Sequence, residues 1–282
     1  MLRALWTVLV VPGIAAADDA LLHYGPRAAS LGGAFTAVAD DSTAFYWNPG
    51  GYAFGPFVQA GVQGGETNLD RGYGFSVGYT FMGVAGTWLR QQISADDGEV
   101  TFDTFDLAFS ILQSLPVDDL VVSANVHYLK GGIANETTSS KANLDAAFLY
   151  QPGEWIRLGV MSRSLLAPSF PTSDGDELVV PRQTRAGVAF SLPRRMLVSL
   201  DVDVTRRSHG REISLGAEKK FLNGKIAVRA GVRGDFGEGE HRSAGWSLGL
   251  GGRIRWLLLD LAYLAENDHR DDSLWLGVTI AP

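Results

Sequence analysis

The stretch IAVRAGVR, residues 226–233, alternates strictly between apolar and polar or small residues. Val228 falls on one face of an extended chain and Arg229 on the other, because successive side chains of a β-strand point to opposite faces. The same alternation recurs in residues 196–204 (MLVSLDVDV) and 246–255 (WSLGLGGRIR). These segments are therefore predicted to be strands with one apolar and one polar face.

About fourteen segments of this kind follow one another between residues 54 and 282. Each is close to the length of about 9–11 residues that a tilted membrane strand needs. The predicted spans are 56–64, 72–82, 84–94, 101–113, 119–130, 141–151, 154–164, 181–192, 195–205, 210–221, 224–234, 242–253, 255–265 and 273–281.

The connections between these segments alternate in length. Residues 151–154, 192–195 and 222–225 are short turns, whereas the intervening connections are longer and charged, up to residues 164–181. A β-sandwich has no reason to sort its connections in this way, but an outer-membrane barrel has short turns at one end and long loops at the other. The sequence therefore predicts an all-β fold, a transmembrane antiparallel β-barrel of about fourteen strands, over residues 54–282.

Residues 1–17 are predicted to be a cleaved signal peptide. They combine Arg3, a short apolar run and Ala15-Ala16-Ala17 before two aspartates. The run is too short to span a bilayer, and no later segment has 18 consecutive apolar residues. Export without a spanning helix, together with the barrel pattern, predicts location in the bacterial outer membrane. The net charge of -7 argues against a nucleic-acid partner, and the absence of cysteine excludes thiolate chemistry.

The polar faces of the strands carry charges of both signs. A charge facing lipid costs roughly 2–4 kcal/mol near the membrane midplane, so these side chains are expected to face the lumen and brace it by ion pairs. Ser123, Asn125 and His127 share this face, but a stack of polar side chains two residues apart is how such a face looks. We therefore predict no enzyme activity, no cofactor and no metal site. The predicted luminal charges are Asp145, Arg157, Arg185, Asp201, Asp203, Arg229 and Arg253, with Glu218 on the same face.

Residues 18–53 are predicted to be a hatch, or plug, within the lumen. The spacing of small and apolar residues predicts a helix from about Ser30 or Gly33 to Trp47, and residues 48–51 (NPGG) end it. Asp40 and Asp41 are expected to pair with luminal arginines. A short periplasmic helix ahead of the barrel is the alternative.

The same residues resemble the N-terminal signature of FadL-like outer-membrane proteins. This group includes long-chain fatty-acid transporters and PorV-type components of protein secretion. The resemblance implies a fourteen-stranded barrel, with Gly51-Tyr52 in place of the usual Ala-Gly-Leu ending and with shorter loops than dedicated transporters have. The residues that carry this motif are Gly25, Arg27, Gly32, Gly33, Asp40, Asp41, Asn48, Pro49 and Gly50.

The longest connection is the best candidate for a ligand or partner site. Leu165, Leu166, Phe170 and Pro171 would form an apolar patch on the outward surface, unless the loop simply packs on the rim. The function expected first is transport of a hydrophobic, fatty-acid-like molecule past the hatch; the resemblance also implies a sideways exit at a kink in the third strand. A scaffold or docking role in a secretion or surface assembly is the alternative. Expected partners are outer-membrane lipid and lipopolysaccharide, a hydrophobic small molecule, and proteins at the outward loops.

Overall fold

The computed structural model describes residues 24–67, 70–95, 98–116, 119–133, 138–171, 177–205, 211–236, 244–267 and 272–282. The predicted signal peptide, residues 1–17, and the first residues of the predicted hatch lie outside these ranges. No helix in the described part of the chain is both long enough and apolar enough to cross a bilayer.

Fourteen antiparallel strands of the described residues close into a barrel, as the sequence predicted. Closure is made by β16 pairing with β1, for example Val278 opposite Val62. Two further short strands, β8 and β9, form a separate hairpin. The strands are β1 Val58–Glu66, β2 Arg71–Tyr79, β3 Met82–Ala95, β4 Gly98–Ser114, β5 Leu120–Ile133, β6 Ser139–Gly153, β7 Ile156–Arg163, β8 Ser169–Pro171, β9 Glu177–Val179, β10 Gln183–Leu192, β11 Met196–Asp203, β12 Arg211–Phe221, β13 Ile226–Phe236, β14 Ala244–Ile254, β15 Leu257–Glu266 and β16 Ser273–Ile280.

The two ends of the barrel differ. The end that carries the connection between Arg163 and Gln183 is called the loop end, and the opposite end, where β1 begins and β16 finishes, is called the turn end. The connection between β3 and β4 at the loop end is tighter than predicted, because both strands continue past their predicted limits.

The strand register gives no support to the predicted kink in the third strand. β3 pairs with β2 and with β4 without a shift in register. Gly86 faces outward beneath the ring of Phe75, which would lie 2.5 Å from an added Cβ atom, and Gly83 faces inward against Tyr52. These glycines accommodate aromatic rings, so the ladder gives no support to a sideways opening at this strand.

The outer surface of the barrel is apolar and the inner surface is polar. Large exposed hydrophobic side chains such as Val62, Phe109, Leu248 and Leu276 alternate along the strands with buried inward-facing residues. The largest cluster of buried apolar side chains belongs to the N-terminal residues together with the inner wall. The hydrophobic core therefore lies inside the barrel, and the apolar outer face is of the kind that lipid covers.

The N-terminal residues form two short helices instead of the single helix that the sequence predicted. α1 spans Pro26–Ser30, α2 spans Ala44–Trp47, and a 3-10 helix spans Pro49–Phe54. Gly32 and Gly33 have φ values of 65° and 84°, in the left-handed region that glycine favours, so a regular helix stops there. The predicted stop after Trp47 is correct, because Asn48 is extended and Pro49 begins the 3-10 helix.

Candidate functional site: the N-terminal segment and the inner wall

Residues 24–54, called the N-terminal segment below, pack against inward-facing side chains of the barrel. Tyr24 lies at the centre of an aromatic cluster, with ring centroids 5.4 Å from Phe45, 5.3 Å from Tyr46 and 5.9 Å from Trp275 of β16. The indole Nε1 of Trp47 donates a hydrogen bond of 2.8 Å to the backbone carbonyl of Tyr24. This cluster joins the start of the segment to its second helix and to the wall.

Arg27 is the main ionic link between the segment and the wall. Its Nε lies 3.0 Å from Oε2 of Glu218 on β12, and Nη2 donates to Oε1 of the same carboxylate at 3.2 Å. Its Nη1 lies 2.6 Å from Asp40 and 3.4 Å from Asp41. One buried guanidinium thus gathers a carboxylate of the wall and two of the segment, an arrangement that fits the planar fork of arginine.

The same network continues along the wall. Glu218 also accepts from Nε of Arg229 at 2.6 Å, and Nη1 of Arg229 reaches Asp260 at 2.6 Å. Sequence alternation placed Glu218 on the inner face but gave it no partner. Its pairing with Arg27, which lies 191 residues away in the chain, depends on how the segment folds into the barrel.

Asp40 also contacts a luminal arginine, as predicted. Arg157 lies 3.6 Å from Asp40 and donates to the Val38 carbonyl at 3.2 Å. Asp41 instead pairs with Arg27 within the segment. Burial opposes the charge of Asp40, but the Arg27 and Arg157 guanidiniums outweigh burial and hold its pKa below the ordinary value. Burial outweighs Arg27 at Asp41, and the pKa of that carboxyl is raised.

Hydrogen bonds between the wall and backbone groups also hold the segment. Asp201 of β11 accepts from the backbone amides of Phe35 and Thr36, at 3.0 and 2.8 Å. The side-chain amide of Asn125 donates to the Phe45 carbonyl at 2.7 Å, and that of Asn48 donates to the Phe148 carbonyl at 2.9 Å. The wall therefore fixes the position of the segment backbone by hydrogen bonds, in addition to pairing with its charged side chains.

The remaining predicted luminal charges also face inward, in smaller groups. Asp145 accepts from Nε2 of His127 at 2.7 Å, and Nδ1 of the same ring lies 3.0 Å from Asp106. Arg185 donates to Glu212 at 2.7 Å.

Asp203 and Arg253, two further predicted charges, make contacts of other kinds. Asp203 is buried and accepts from the backbone amide of Thr205 at 2.8 Å. Arg253 has the predicted inward register but lies exposed at the turn end, where its Nε donates to the Arg255 carbonyl at 3.0 Å. The alternation of the sequence predicts the face on which Arg253 lies but not its position along the barrel axis.

The other residues of the predicted motif shape the segment itself. Gly25 has a φ of 93°, and an added Cβ there would lie 2.6 Å from Cγ2 of Thr43. The backbone amide of Gly50 donates to Oδ1 of Asn48 at 3.1 Å, directly after Pro49 starts the 3-10 helix. These residues therefore determine the turns of the segment. The motif residues whose side chains contact the wall are Arg27, Asp40 and Asn48.

Inward-facing glycines of the wall make room for the segment, which sequence reasoning missed. An added Cβ at Gly231 would lie 2.3 Å from the backbone nitrogen of Gly32, and one at Gly159 would lie 2.5 Å from the carbonyl oxygen of Thr36. Gly249 is similarly close to Ser30. The only signal in the sequence is glycine at inward positions of otherwise regular strands, which marks close approach of another backbone.

The predicted apolar patch of the long connection is divided between two surfaces. Phe170 is only 1 % exposed, and its ring packs 5.8 Å from that of Phe102, with Leu129 in the same cluster. Leu166 is 54 % exposed, Pro171 is exposed and Leu165 is half-buried. The prediction of one outward patch is therefore wrong: Phe170 turns inward and forms an apolar cluster near the loop end.

A cavity of about 280 Å³ lies near the turn end, between the segment and the wall. Its lining mixes apolar residues and glycines with charged and polar side chains, including Arg27, Asp40, Gln59, Lys220 and Arg253. Within the described ranges, no three histidine or carboxylate side chains come together as a metal site. Toward the loop end the lumen carries both the apolar cluster of Phe102, Leu129 and Phe170 and buried charges such as Arg185 and Glu212, and the cavity near the turn end lies against the segment.

A closed antiparallel barrel of fourteen strands with an apolar outer face has the architecture of bacterial outer-membrane proteins. More narrowly, the chain has the FadL-like barrel fold, and the predicted resemblance is confirmed at that level. No protein-family model and no curated protein matches the chain.

Three solved structures show the likeness. The CymD monoaromatic hydrocarbon channel superposes with a TM-score of 0.69 at 11% identity, covering 92% of this chain and 97% of that one. A Pseudomonas aeruginosa FadL homologue gives 0.66 at 11% identity, with 91% and 98% covered. The P. putida toluene transporter TodX gives 0.55 at 11% identity, with 92% and 98% covered.

Proposed function

We propose that this protein is an outer-membrane channel for hydrophobic small molecules, with the N-terminal segment as the hatch in its lumen. The observation that carries the proposal is the apolar cluster of Phe102, Leu129 and Phe170 near the loop end, above a lumen occupied by the segment. An apolar solute gains about 25 cal/mol for each Å² that it buries there. Three proteins of the same fold are described, respectively, as a monoaromatic hydrocarbon channel, a FadL homologue and a toluene transporter.

The proposed location follows from the outer surface. Side chains such as Val62, Leu248 and Leu276 lie exposed around the barrel and would be costly in water but stable against lipid. Residues 1–17 would direct export and be removed, and the loop end would face outward. Because the strand register gives no support to a kink in β3, the proposed route of the transported molecule runs through the lumen and past the segment.

Uptake by cells tests the transport proposal. Cells that express the protein should accumulate radiolabelled toluene or oleate faster than cells with an empty vector. Phe170→Ala should lower the rate several-fold, because it removes a buried ring from the apolar cluster. Leu166→Ala is the matched control, since Leu166 lies exposed on the same connection. Equal uptake with and without the protein would reject transport of both probes.

A second experiment tests the hatch separately. A Cβ atom added at Gly231 would lie 2.3 Å from the backbone nitrogen of Gly32. This is about 1.1 Å closer than ordinary van der Waals contact allows (3.4 − 2.3). Gly231→Val should therefore displace the segment and raise single-channel conductance in planar bilayers. Gly252→Val is the control, because nothing lies within 4 Å of a Cβ added at Gly252. Equal conductance of both variants would show that the segment does not close the lumen.

The alternative function is a barrel that acts as a scaffold within a protein assembly. The observation in its favour is the density of contacts that fix the segment, in particular Arg27 with Glu218 and Asp201 with two backbone amides. A permanent plug needs such contacts, and a gate does not. Gentle purification followed by native mass spectrometry decides between them: a stoichiometric protein partner, with no uptake of either probe, supports the scaffold.

A further inference from the structure

A groove of about 440 Å³ lies on the outer face of strands β2 to β5, near the loop end. The groove is bordered by outward-facing side chains. Two of them, Tyr73 and Trp88, are 55% and 48% exposed. The groove is separate from the lumen, since these residues point away from it. Its outward-facing lining consists of Arg71, Tyr73, Trp88, Arg90, Asp103, Phe105 and Lys130.

The register of the strands sorts these side chains into rows. Arg71 lies opposite Arg90, which lies opposite Asp103. Two residues further from the loop end, Tyr73 lies opposite Trp88, and Trp88 opposite Phe105.

The next row toward the middle of the barrel is apolar and aromatic. Phe75 lies opposite Gly86, and Gly86 opposite Leu107, which in turn is opposite Tyr128. From the loop end downward, the outer face therefore changes from charged to aromatic to predominantly apolar. That order matches an amphiphile with an anionic head and hydrocarbon tails lying along the wall.

The groove has an excess of positive charge. Glu66, Arg71, Arg90 and Asp103 balance one another within the charged row, and Lys130, which lies opposite Phe105 in the aromatic row, gives the whole groove a net charge of +1 (3 − 2) on a chain with a net charge of -7. Asp103 holds the guanidinium of Arg90 through Nε at 2.7 Å and Nη2 at 2.9 Å, which leaves Nη1 outside that pair.

Arg71 is bound less tightly than Arg90. Its Nε lies 3.7 Å from Glu66, and both side chains are largely exposed. A phosphate competes well for such a guanidinium, because charge-assisted hydrogen bonds to phosphate are among the stronger ones that arginine forms.

We propose that this groove binds the anionic, multiply phosphorylated headgroup of a membrane lipid of the lipid A type. Arg71, Arg90 and Lys130 hold the phosphate, Tyr73 and Trp88 lie at the level of the polar–apolar boundary, and the acyl chains run over Phe75 and Leu107. Cations above an aromatic row are the arrangement that the interface of a bilayer favours. The proposal rests on the proposed membrane location but not on transport.

Native mass spectrometry of the intact, folded protein in detergent tests the proposal. The probe is bisphosphorylated lipid A, with phosphatidylethanolamine and inorganic phosphate as comparison ligands. The variant is Arg71→Gln/Lys130→Gln, which keeps the Arg90–Asp103 pair. The control is Arg195→Gln/Lys225→Gln, two exposed cations at the turn end. Retarded migration of the unheated barrel in gels establishes folding of each variant beforehand.

The wild type and the control should retain lipid A equally, and the groove variant should bind it about thirtyfold more weakly, since it lacks two cations that each contribute about 1 kcal/mol near the membrane surface. Inorganic phosphate alone should give no stable adduct, because it lacks the tails. Equal retention by the groove variant overturns the proposal, and so does retention of phosphatidylethanolamine as strong as that of lipid A. Binding of a protein or a second copy of the chain at the groove in place of lipid A also overturns it. None of these results depends on uptake, so failure of the transport proposal remains distinguishable.

Discussion

Replacing Arg27 with methionine should release the N-terminal segment from the wall while leaving the barrel folded. Methionine keeps an unbranched, flexible side chain in place of the arginine stem but removes the charge and the donors. The substitution deletes the ion pairs with Glu218 at 3.0 Å, with Asp40 at 2.6 Å and with Asp41 at 3.4 Å. All three carboxylates are then left with fewer cations in a site that is largely shielded from water.

The remaining partners determine the size of the effect. Removing one member of a buried ion pair costs about 3–5 kcal/mol, because the other charge stays buried. Glu218 keeps Arg229 at 2.6 Å, and Asp40 keeps Arg157 at 3.6 Å, so the low end of that range applies. A loss of about 3 kcal/mol raises the population of the detached segment roughly a hundredfold. The hydrogen-bonded ladder of the barrel is untouched.

Single-channel conductance and hydrogen exchange measure the two parts of this prediction. Arg27→Met should show frequent open events in planar bilayers and faster exchange of the backbone amides of residues 24–54, with no change in strand amides. Arg195→Met is the control, because Arg195 lies exposed in a turn. If Arg27→Met conducts and exchanges like the wild type, the ion pairs do not hold the segment and the reasoning fails.

Two further predictions concern the same contacts. Asp201→Ala leaves the buried amides of Phe35 and Thr36 without their acceptor and should destabilise the docked segment by about 2–4 kcal/mol. Asp201→Asn keeps an acceptor and should destabilise the segment less. Hydrogen exchange of the segment amides measures the difference. The pKa of Asp40 is depressed, so its pairing with Arg27 stabilises the segment at neutral pH and is lost as the pH falls through that lowered value. The pKa of Asp41 is raised, so its own contact with Arg27 weakens at a higher pH. Below about pH 4, conductance should rise further in the wild type and in Asp41→Asn but not in Asp40→Asn; an Asp40→Asn variant that keeps this rise would contradict the assignment.

The barrel was predictable from the sequence because each strand carries its own signal. Alternation along residues 226–233 fixes which side chains face inward, and one face must be apolar wherever lipid covers it. The predicted strand number and the inward register of Asp145, Arg157, Arg185, Asp201 and Arg229 agree with the structure. A period of two is a local property, so these features need no knowledge of distant residues.

The fold of the N-terminal segment was only partly predictable, since it depends on contacts with the wall. Small residues at helical spacing favoured one helix from about residue 30 or 33 to residue 47, but beyond Ser30 only Ala44–Trp47 of that stretch is α-helical, and Asp201 of the wall accepts backbone hydrogen bonds that a continuous helix would make itself. The partner of Arg27 could not be read from spacing, because Glu218 lies 191 residues away. Phe170 was misplaced for the same reason: nothing in residues 164–181 shows that its ring meets Phe102.

The cations that line the cavity near the turn end predict which hydrophobic molecule passes best. A phenyl-sized ring that buries about 150–250 Å² near Phe102 and Phe170 gains about 4–6 kcal/mol, but a neutral hydrocarbon gains nothing from the charged side chains of that cavity. An amphiphile with a carboxylate is stabilised there by Lys220 and Arg253, both of which line that cavity. We therefore expect oleate to be taken up faster than toluene, and Lys220→Gln/Arg253→Gln to slow oleate several-fold while leaving toluene unchanged. Slowing of both probes to the same extent would mean that these cations act on the hatch and not on the cargo.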